Sequence, residues 1–237
     1  MAITTSFIQL EVAGANTMQS YVAAPEGNGP FPAIIVFQEA FGVNHHIRDL
    51  ADRFANEGYV TIAPELFHRT AEPGFEGSYS DFSAVAQHFQ GVNEEGMEND
   101  CRAVYNWFQT QHNVKKDAIA TTGYCMGGRV SFLANSILPL QAAVSYYGGR
   151  IVPDLLKRAS SMHAPMLFFW GGLDKHIPQE QVSAILAEMD AAGKKYVNVV
   201  FSYADHAFFC DARPSYNEEA AKLAWPLTLA FLKEKLG

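Results

Sequence analysis

A cysteine, an aspartate and a histidine stand in a chain order that can support nucleophilic catalysis. Cys125 lies in GYCMG, Asp174 lies in WGGLDKHIP and His206 lies in SYADHAFF. A histidine can accept a thiol proton and later protonate a leaving group, while an acid fixes the tautomer and orientation of the imidazole. The three side chains therefore predict covalent catalysis at a cysteine.

Small residues on both sides of Cys125 indicate a nucleophile elbow, the tight turn that joins a strand to a helix. Gly123 and Gly127 stand two residues before and two residues after the cysteine. The strand and the helix approach closely at such a turn, so only small residues fit there. The turn would place the thiol at a helix N-terminus, which favours a thiolate. It would also direct the backbone N–H of Met126 toward a developing oxyanion.

Each of the three residues also has a purely structural interpretation. Cys125 could be a buried thiol, Asp174 could cap a helix that begins near residue 178, and His206 could be a packed loop histidine. Asp205 is a rival acid, but a side-on hydrogen bond to the ring of its neighbour His206 is awkward. The positions of the three residues, each directly after a predicted strand, favour the catalytic interpretation over these alternatives.

The hydrophobic pattern alternates between short apolar runs and amphipathic segments. It predicts a hairpin over 6–12 and 18–24, strands at 33–38, 59–64, 117–122, 141–147, 165–170 and 196–201, and helices at 45–57, 80–89, 94–112, 126–137, 153–158, 178–192 and 215–235. This alternation predicts a mostly parallel central sheet with helices on both faces. Cys125, Asp174 and His206 each follow a predicted strand, in the order of the α/β-hydrolase arrangement. No linker or repeat interrupts the chain, so we expect a single domain over 1–237.

The segment 65–93 mixes proline, glycine, serine and aromatic residues and has a less regular pattern. A long irregular segment in a compact domain is often an active-site lid, but it can also be a variable surface excursion. Both interpretations stay open.

The composition excludes several classes of protein. The net charge is −8, which argues against a nucleic-acid partner, and no apolar run is long enough to cross a membrane. The three cysteines, Cys101, Cys125 and Cys210, form no CxxC pair, so a disulfide framework and a zinc site are not expected. The N-terminus has no secretory signal pattern, which favours a cytoplasmic location. Cys101 falls on the apolar stripe of helix 94–112 and is predicted to be core.

Five stretches together resemble the dienelactone hydrolase family of α/β hydrolases: FQEAFGVN (37–44), GYCMGGR (123–129), AVSYYGG (143–149), WGGLDKHIP (170–178) and DHAFF (205–209). The resemblance covers nearly the whole chain. It implies a catalytic triad of Cys125, His206 and Asp174 and an ester or lactone substrate. It also implies that Glu39 helps to activate the thiol and that the backbone N–H of Ala40 is the second oxyanion donor. No cofactor is implied.

Glu39 has modest support from its own position. It directly follows the buried strand 33–38 and so lies at the same sheet edge as Cys125. It could instead cap the helix that begins near residue 45. The adjacent pair His45 and His46 has no matching carboxylates, so no metal site is predicted.

One position departs from the family pattern. Family members that act on dienelactone bind its carboxylate with arginines, one of which stands four residues after the catalytic histidine, where this chain has Cys210. Neither Arg69 nor Arg213 is assigned as a replacement. The expected pocket residues are instead mostly aromatic: Phe41, Tyr79, Tyr146 and Phe208, together with Cys210. These residues favour neutral esters or lactones, including aryl esters, as small-molecule substrates.

Several alternatives remain at this point. A neutral phosphotriester is a possible substrate because its phosphoryl oxygen gathers charge where an ester oxyanion would. The chain could also be a true dienelactone hydrolase (a carboxymethylenebutenolidase) that acts on a carboxylate-bearing lactone. A thiol-based redox protein, with Cys210 as the resolving thiol of Cys125, and a non-catalytic binding protein are the rivals from other classes. The oligomeric state is open.

Overall fold

The computed structural model describes residues 2–237 and divides them into two compact units. The first unit extends to Ile119 and the second covers Ala120–Gly237. The strand β5 (Val114–Tyr124) begins in the first unit and ends in the second. Each unit combines parallel strands with helices, as the alternating pattern predicted.

The sheet of the first unit has the strand order β1-β2-β4-β3. β1 (Ile3–Leu10) and β2 (Met18–Pro25) form the predicted antiparallel hairpin. β2 also pairs antiparallel with β4 (Val60–Pro64), whereas β3 (Phe31–Phe37) pairs parallel with β4. The last five residues of β3 are buried, which explains the unbroken apolar run in its sequence.

Three helices belong to the first unit: α1 (His45–Asn56), α2 (Phe82–Gly91) and α3 (Glu94–Thr110). Each begins after a residue whose side chain accepts a hydrogen bond from a backbone N–H of the first turn: Asn44, Asp81 and Asn93. Such a cap typically stabilises a helix by about 1 kcal/mol. Cys101 on α3 is fully buried, which confirms its predicted place in the core.

The segment before α2 packs closely on the chain that follows β3. The Gly77 N–H donates to the Phe41 carbonyl at 3.0 Å, and the Asn44 side-chain amide donates to the Tyr79 hydroxyl at 2.9 Å. Gly42 has a φ of 81°, and a Cβ at this position would overlap the carbonyl oxygen of Phe75. These contacts hold residues 75–79 against residues 41–44. A lid function for the segment 65–93 stays a prediction.

A buried ion pair fixes the start of the same segment to α3. The guanidinium of Arg69 donates to both carboxylate oxygens of Asp100, at 2.8 and 2.9 Å, and to the Gly96 carbonyl at 3.3 Å. The side chain of Asp100 is only 2% exposed. Because a carboxylate left alone at such a site would be costly, Arg69 is committed to a structural pair.

The sheet of the second unit has the parallel strand order β5-β6-β7-β8. The remaining strands are β6 (Ala142–Tyr146), β7 (Met166–Gly171) and β8 (Tyr196–Phe201), and the helices are α4 (Met126–Ile137), α5 (Gln179–Ala191) and α6 (Glu218–Leu236). A 3₁₀ helix, Leu156–Ser161, lies near the short helix predicted at 153–158. Because the four strands are parallel, their carboxyl ends lie at one edge, where Cys125, Asp174 and His206 follow β5, β7 and β8.

The predicted α/β class with a mostly parallel sheet is confirmed. Within residues 2–237, no helix combines the length and the apolar character needed to cross a membrane. The assignment of the whole chain to a single domain stays a prediction.

Candidate active site

Cys125 occupies the turn between β5 and α4. Its φ is 54° and its ψ is −113°, a positive-φ conformation that is unfavourable for a residue other than glycine. Strain of this kind costs about 1–3 kcal/mol and is common at functional sites. The Cys125 N–H donates to the Tyr146 carbonyl at 3.0 Å, and the Gly128 N–H donates to the Cys125 carbonyl at 3.0 Å. Since α4 begins at Met126, the thiol lies at a helix N-terminus.

The glycines around Cys125 are required by close backbone approach. A Cβ on Gly123 would overlap the carbonyl oxygen of Gly127 and would lie 2.8 Å from the Gly128 nitrogen. A Cβ on Gly128 would lie 2.7 Å from the Gly148 Cα. The strand end, the first turn of α4 and the chain after β6 thus meet without room for a side chain at Gly123 or Gly128, and the requirement for a small residue at position 127 stays a prediction.

The structure brings together the three predicted residues Cys125, His206 and Asp174. The His206 Nε2 lies 3.1 Å from the Cys125 Sγ, and the His206 Nδ1 lies 2.7 Å from the Asp174 Oδ2. The imidazole is 11% exposed and the Asp174 side chain is 1% exposed. This is the geometry in which an imidazole can exchange a proton with a thiol while a buried carboxylate orients the ring.

The two oxygens of Asp174 have different partners. While Oδ2 faces the imidazole, Oδ1 accepts hydrogen bonds from the backbone N–H groups of His176 at 2.8 Å and Ile177 at 3.3 Å. The loop therefore fixes the carboxylate that orients the ring. Asp205, the rival acid, accepts a hydrogen bond from the backbone N–H of His206 at 2.6 Å instead.

The electrostatics of the site favour a charged imidazole. Burial of the ring would lower the pKa of His206, but attraction to a Cys125 thiolate and the hydrogen bond to Asp174 together raise it to about 10. For Asp174, burial acts to raise the pKa, but the hydrogen bond and charge of His206 and the backbone N–H of His176 together outweigh it, so the pKa is lowered. A protonated His206 therefore lies between the Asp174 carboxylate and the Cys125 sulfur.

Two aromatic rings beside His206 were missed by the sequence reasoning. The rings of Tyr147 and His176 lie edge-to-face to the imidazole, with centroids 5.2 and 5.3 Å away. Tyr147 is fully buried and has a φ of 39°, a second positive-φ residue beside the site. Its position in AVSYYGG and the place of His176 two residues after Asp174 were the only signals in the sequence.

The first unit holds four of the other predicted site residues. Glu39 and Ala40 are the second and third residues after β3, and both are buried, Glu39 completely. Phe41 packs against Val85 in a small apolar cluster, and its ring lies 4.7 Å from that of Tyr79. Their contacts with substrate and their roles stay predictions.

The remaining predicted pocket residues, Tyr146, Phe208 and Cys210, are fully buried in the second unit. The Tyr146 ring stacks on Phe169 at 4.5 Å, and its hydroxyl lies 2.6 Å from the Thr228 hydroxyl. Phe208 packs edge-to-face on Tyr147 at 5.3 Å. These side chains take part in core packing, and a substrate contact for each of them stays a prediction.

Comparison with known proteins assigns this chain to a family. The family model for the dienelactone hydrolase family matches residues 18–236. The chain belongs to the dienelactone hydrolase family. A relative from Escherichia coli O157:H7, provisionally named a carboxymethylenebutenolidase, is 35% identical over all of this chain and 89% of its own length. A Synechocystis relative with the same provisional name is 36% identical over 91% of this chain and 89% of its own length.

Solved structures agree with this assignment. A crystal structure from Klebsiella pneumoniae, provisionally described as a dienelactone hydrolase, has a TM-score of 0.89 and 35% identity and covers 98% of this chain and 99% of its own. A dienelactone hydrolase-like promiscuous phosphotriesterase from metagenomic libraries has a TM-score of 0.87 over the full length of both chains, but its 22% identity shows the fold alone. The predicted α/β-hydrolase fold is confirmed, and this dienelactone hydrolase family member is an ester or lactone hydrolase.

Alkylation of the native enzyme tests whether Cys125 is the reactive thiol. With limiting iodoacetamide we expect Cys125 to react first, because it is partly exposed and lies at a helix N-terminus beside the charged imidazole of His206. Cys101 and Cys210 are fully buried and should react slowly, and burial also raises the pKa of the Cys101 thiol. In His206→Gln the alkylation of Cys125 should be slower, because the charged imidazole beside the sulfur is lost. Peptide mass spectrometry gives the three rates, and equal labelling of all three cysteines would contradict the assignment of Cys125 as the reactive thiol.

Substitution of Gly123 tests the elbow. Gly123→Ala should force the turn apart, because its Cβ would overlap the Gly127 carbonyl, and a displacement of about 1 Å can lower kcat about 100-fold. Gly193→Ala is the control: a Cβ there would have no atom within 4 Å, so the substitution adds only the strain of its φ of 64°. Steady-state hydrolysis of p-nitrophenyl acetate, with circular dichroism to verify folding, measures both. A folded Gly123→Ala enzyme with wild-type kcat would refute the steric argument.

Proposed function

We propose that this enzyme cleaves ester or lactone bonds through a thioester formed on Cys125. The observation that carries the proposal is the 3.1 Å contact between the His206 Nε2 and the Cys125 Sγ, with Asp174 on the far side of the ring. A thiolate and an imidazolium held in this way can act as nucleophile and general acid without any cofactor. The relatives and the family support hydrolysis as the reaction class.

The proposed reaction has two steps, acylation and deacylation. The Cys125 thiolate attacks the carbonyl carbon, and the carbonyl oxygen becomes an oxyanion. When the intermediate collapses, the bond to the leaving alkoxide breaks and the His206 Nε2 proton goes to that oxygen. Water then attacks the thioester while neutral His206 accepts its proton, and the carboxylic acid product leaves with Cys125 returned as a thiolate and His206 as an imidazolium.

Backbone N–H groups are the proposed oxyanion donors. The N–H of Met126 is free of helical hydrogen bonding by position, because Met126 is the first residue of α4. Removing one such donor typically costs about 3–4 kcal/mol of transition-state stabilisation. For Ala40 as the second donor, and for Glu39 as the group that helps to activate the thiol, the support is the family resemblance and their position two to three residues after the end of β3.

We further propose that the substrates are neutral esters or lactones. Arg69, the one arginine of the segment 69–82, is engaged by Asp100 and is not available to a substrate carboxylate. Cys210 stands where dienelactone-specific members have an arginine, and it is fully buried. The aromatic side chains of Phe41 and Tyr79 suit an aryl group, although their contact with substrate is itself part of the proposal.

Two other substrate classes have specific support. The carboxymethylenebutenolidase names of relatives at 35–36% identity favour a carboxylate-bearing lactone. The fold shared with a promiscuous phosphotriesterase favours a neutral phosphotriester, whose phosphoryl oxygen would gather charge at the same donors. A redox role is less well supported, because the candidate resolving thiol Cys210 is fully buried.

A substrate panel tests the proposed preference. We expect kcat/KM for phenyl acetate to exceed that for a carboxylate-bearing dienelactone at least about 10-fold, because one unpaired buried charge costs well over 1.4 kcal/mol. Diethyl p-nitrophenyl phosphate, a neutral phosphotriester, is the third substrate. Cys125→Ala should abolish turnover of all three. A preference for the dienelactone would overturn the neutral-substrate proposal and leave the cysteine mechanism intact, whereas activity of Cys125→Ala would overturn the mechanism.

The two neighbouring acids provide a matched pair of variants. Asp174→Asn should lower kcat about 10²- to 10⁴-fold, because an amide no longer fixes the proton on the His206 Nδ1. Asp205→Asn keeps an oxygen that can accept the His206 backbone N–H, so its kcat should stay within a few-fold of wild type. Equal losses in the two variants, measured by steady-state ester hydrolysis, would contradict the assignment of Asp174.

A further inference from the structure

The exposed large hydrophobic side chains are concentrated on one part of the second unit. Nine such side chains occur among the described residues 2–237, and six of them fall between residues 197 and 227. They are Val197, Val200, Tyr203, Tyr216, Leu223 and Leu227, each 39–50% exposed. We call these six residues the β8–α6 surface. Single exposed apolar residues are ordinary, but a cluster of this kind marks an interaction site.

Contacts connect the elements of the β8–α6 surface, except at Val200, which is three residues from Val197 and so faces the other side of β8. The Tyr203 ring packs on Phe201, the last residue of β8, at 6.2 Å. The side-chain amide of Asn217, the residue before α6, donates to the Tyr203 carbonyl at 3.5 Å. Desolvation and the charge of Glu219 in the first turn of α6 raise the pKa of the Tyr203 hydroxyl. Leu223 and Leu227 follow Glu219 at four-residue intervals and so lie on the same helix face. The apolar stripe therefore runs from the end of β8 along α6.

β8 is an edge strand that lacks the residues that usually protect such an edge from pairing. Within the described part of the chain it lies last in the strand order, and its pairing runs from Tyr196 to Phe201 along β7. Natural edge strands are usually protected by lysine, proline or a bulge. The six residues of β8, YVNVVF, include neither a charged residue nor a proline, and their register with β7 is unbroken. The free edge can therefore pair with a further strand.

The charges at the two ends of β8 favour a second copy of this chain as that strand. Exposed Lys195 precedes β8, whereas exposed Asp205 follows it and exposed Glu218 and Glu219 begin α6. Antiparallel pairing of two β8 strands about a two-fold axis places the basic end of each beside the acidic end of the other, twice. A self-complementary contact of this kind closes after two copies.

We propose that this enzyme forms a two-fold homodimer in which β8 pairs antiparallel with β8 and the α6 stripes pack together. Exposed ion pairs contribute only about 0–1 kcal/mol each, so in this dimer they mainly set the orientation and the apolar stripe supplies most of the association free energy. The loop that carries His206 connects β8 to α6, so in the sequence it lies between the two elements that form the dimer contact. The proposal does not depend on the substrate or on the cysteine mechanism.

Sedimentation velocity on the full chain tests the dimer. At about 50 µM, wild type should sediment at twice the chain mass of 26.1 kDa. Leu223→Glu/Leu227→Glu should sediment as a monomer with its circular dichroism spectrum and esterase activity retained. Phe7→Lys is the matched control, since Phe7 is 51% exposed on the end strand β1 of the first unit, and it should remain dimeric. A monomeric wild type, or a dimer that survives the Leu223/Leu227 substitutions, would overturn the proposal.

A charge exchange tests the antiparallel arrangement itself. Lys195→Glu and Asp205→Lys should each raise the dimer dissociation constant several-fold, because each sets like charges opposite one another. The double variant should return toward the wild-type value, measured by sedimentation over a concentration series. Additive weakening in the double variant would contradict antiparallel β8 pairing.

Discussion

The backbone of Cys125 is the constraint on which the rest of the site depends. A residue with a side chain is held at a φ of 54° so that the chain can pass from β5 directly into α4. Gly123 and Gly128 must be glycine here, because no Cβ fits between the strand end and the first turn of the helix. The strain, about 1–3 kcal/mol, is offset by the packing of both elements, and it projects the thiol at a helix N-terminus.

The second constraint is electrostatic and joins two loops to that turn. His206 can remain charged although it is largely buried, because Asp174 lies on one side of its ring and the Cys125 sulfur lies on the other. The loop amides that bind the second oxygen of Asp174 keep the carboxylate in place, and Tyr147 and His176 flank the ring. Parallel strands make this possible, since the loops after β5, β7 and β8 emerge at one edge.

The sequence predicted the parts of this arrangement that depend on local pattern and missed those that depend on distant partners. The glycine spacing around Cys125 and the strands before Asp174 and His206 were readable because each is encoded within a few residues. The contact of Tyr147 with His206 spans 59 positions and follows from two loop conformations. The pairing of Arg69 with Asp100 likewise has no local signature, and the complete burial of Tyr146, Phe208 and Cys210 was not evident from an aromatic-rich composition.

The central claim is that Cys125 carries the acyl group during turnover. Rapid acid quench during hydrolysis of p-nitrophenyl acetate, followed by intact and peptide mass spectrometry, measures this directly. The account predicts an acetyl adduct, an added mass of about 42 Da, on the peptide that contains Cys125, formed in the burst phase and lost on further incubation. A burst of p-nitrophenol with the adduct on another residue, or turnover with no adduct under any quench condition, would contradict it.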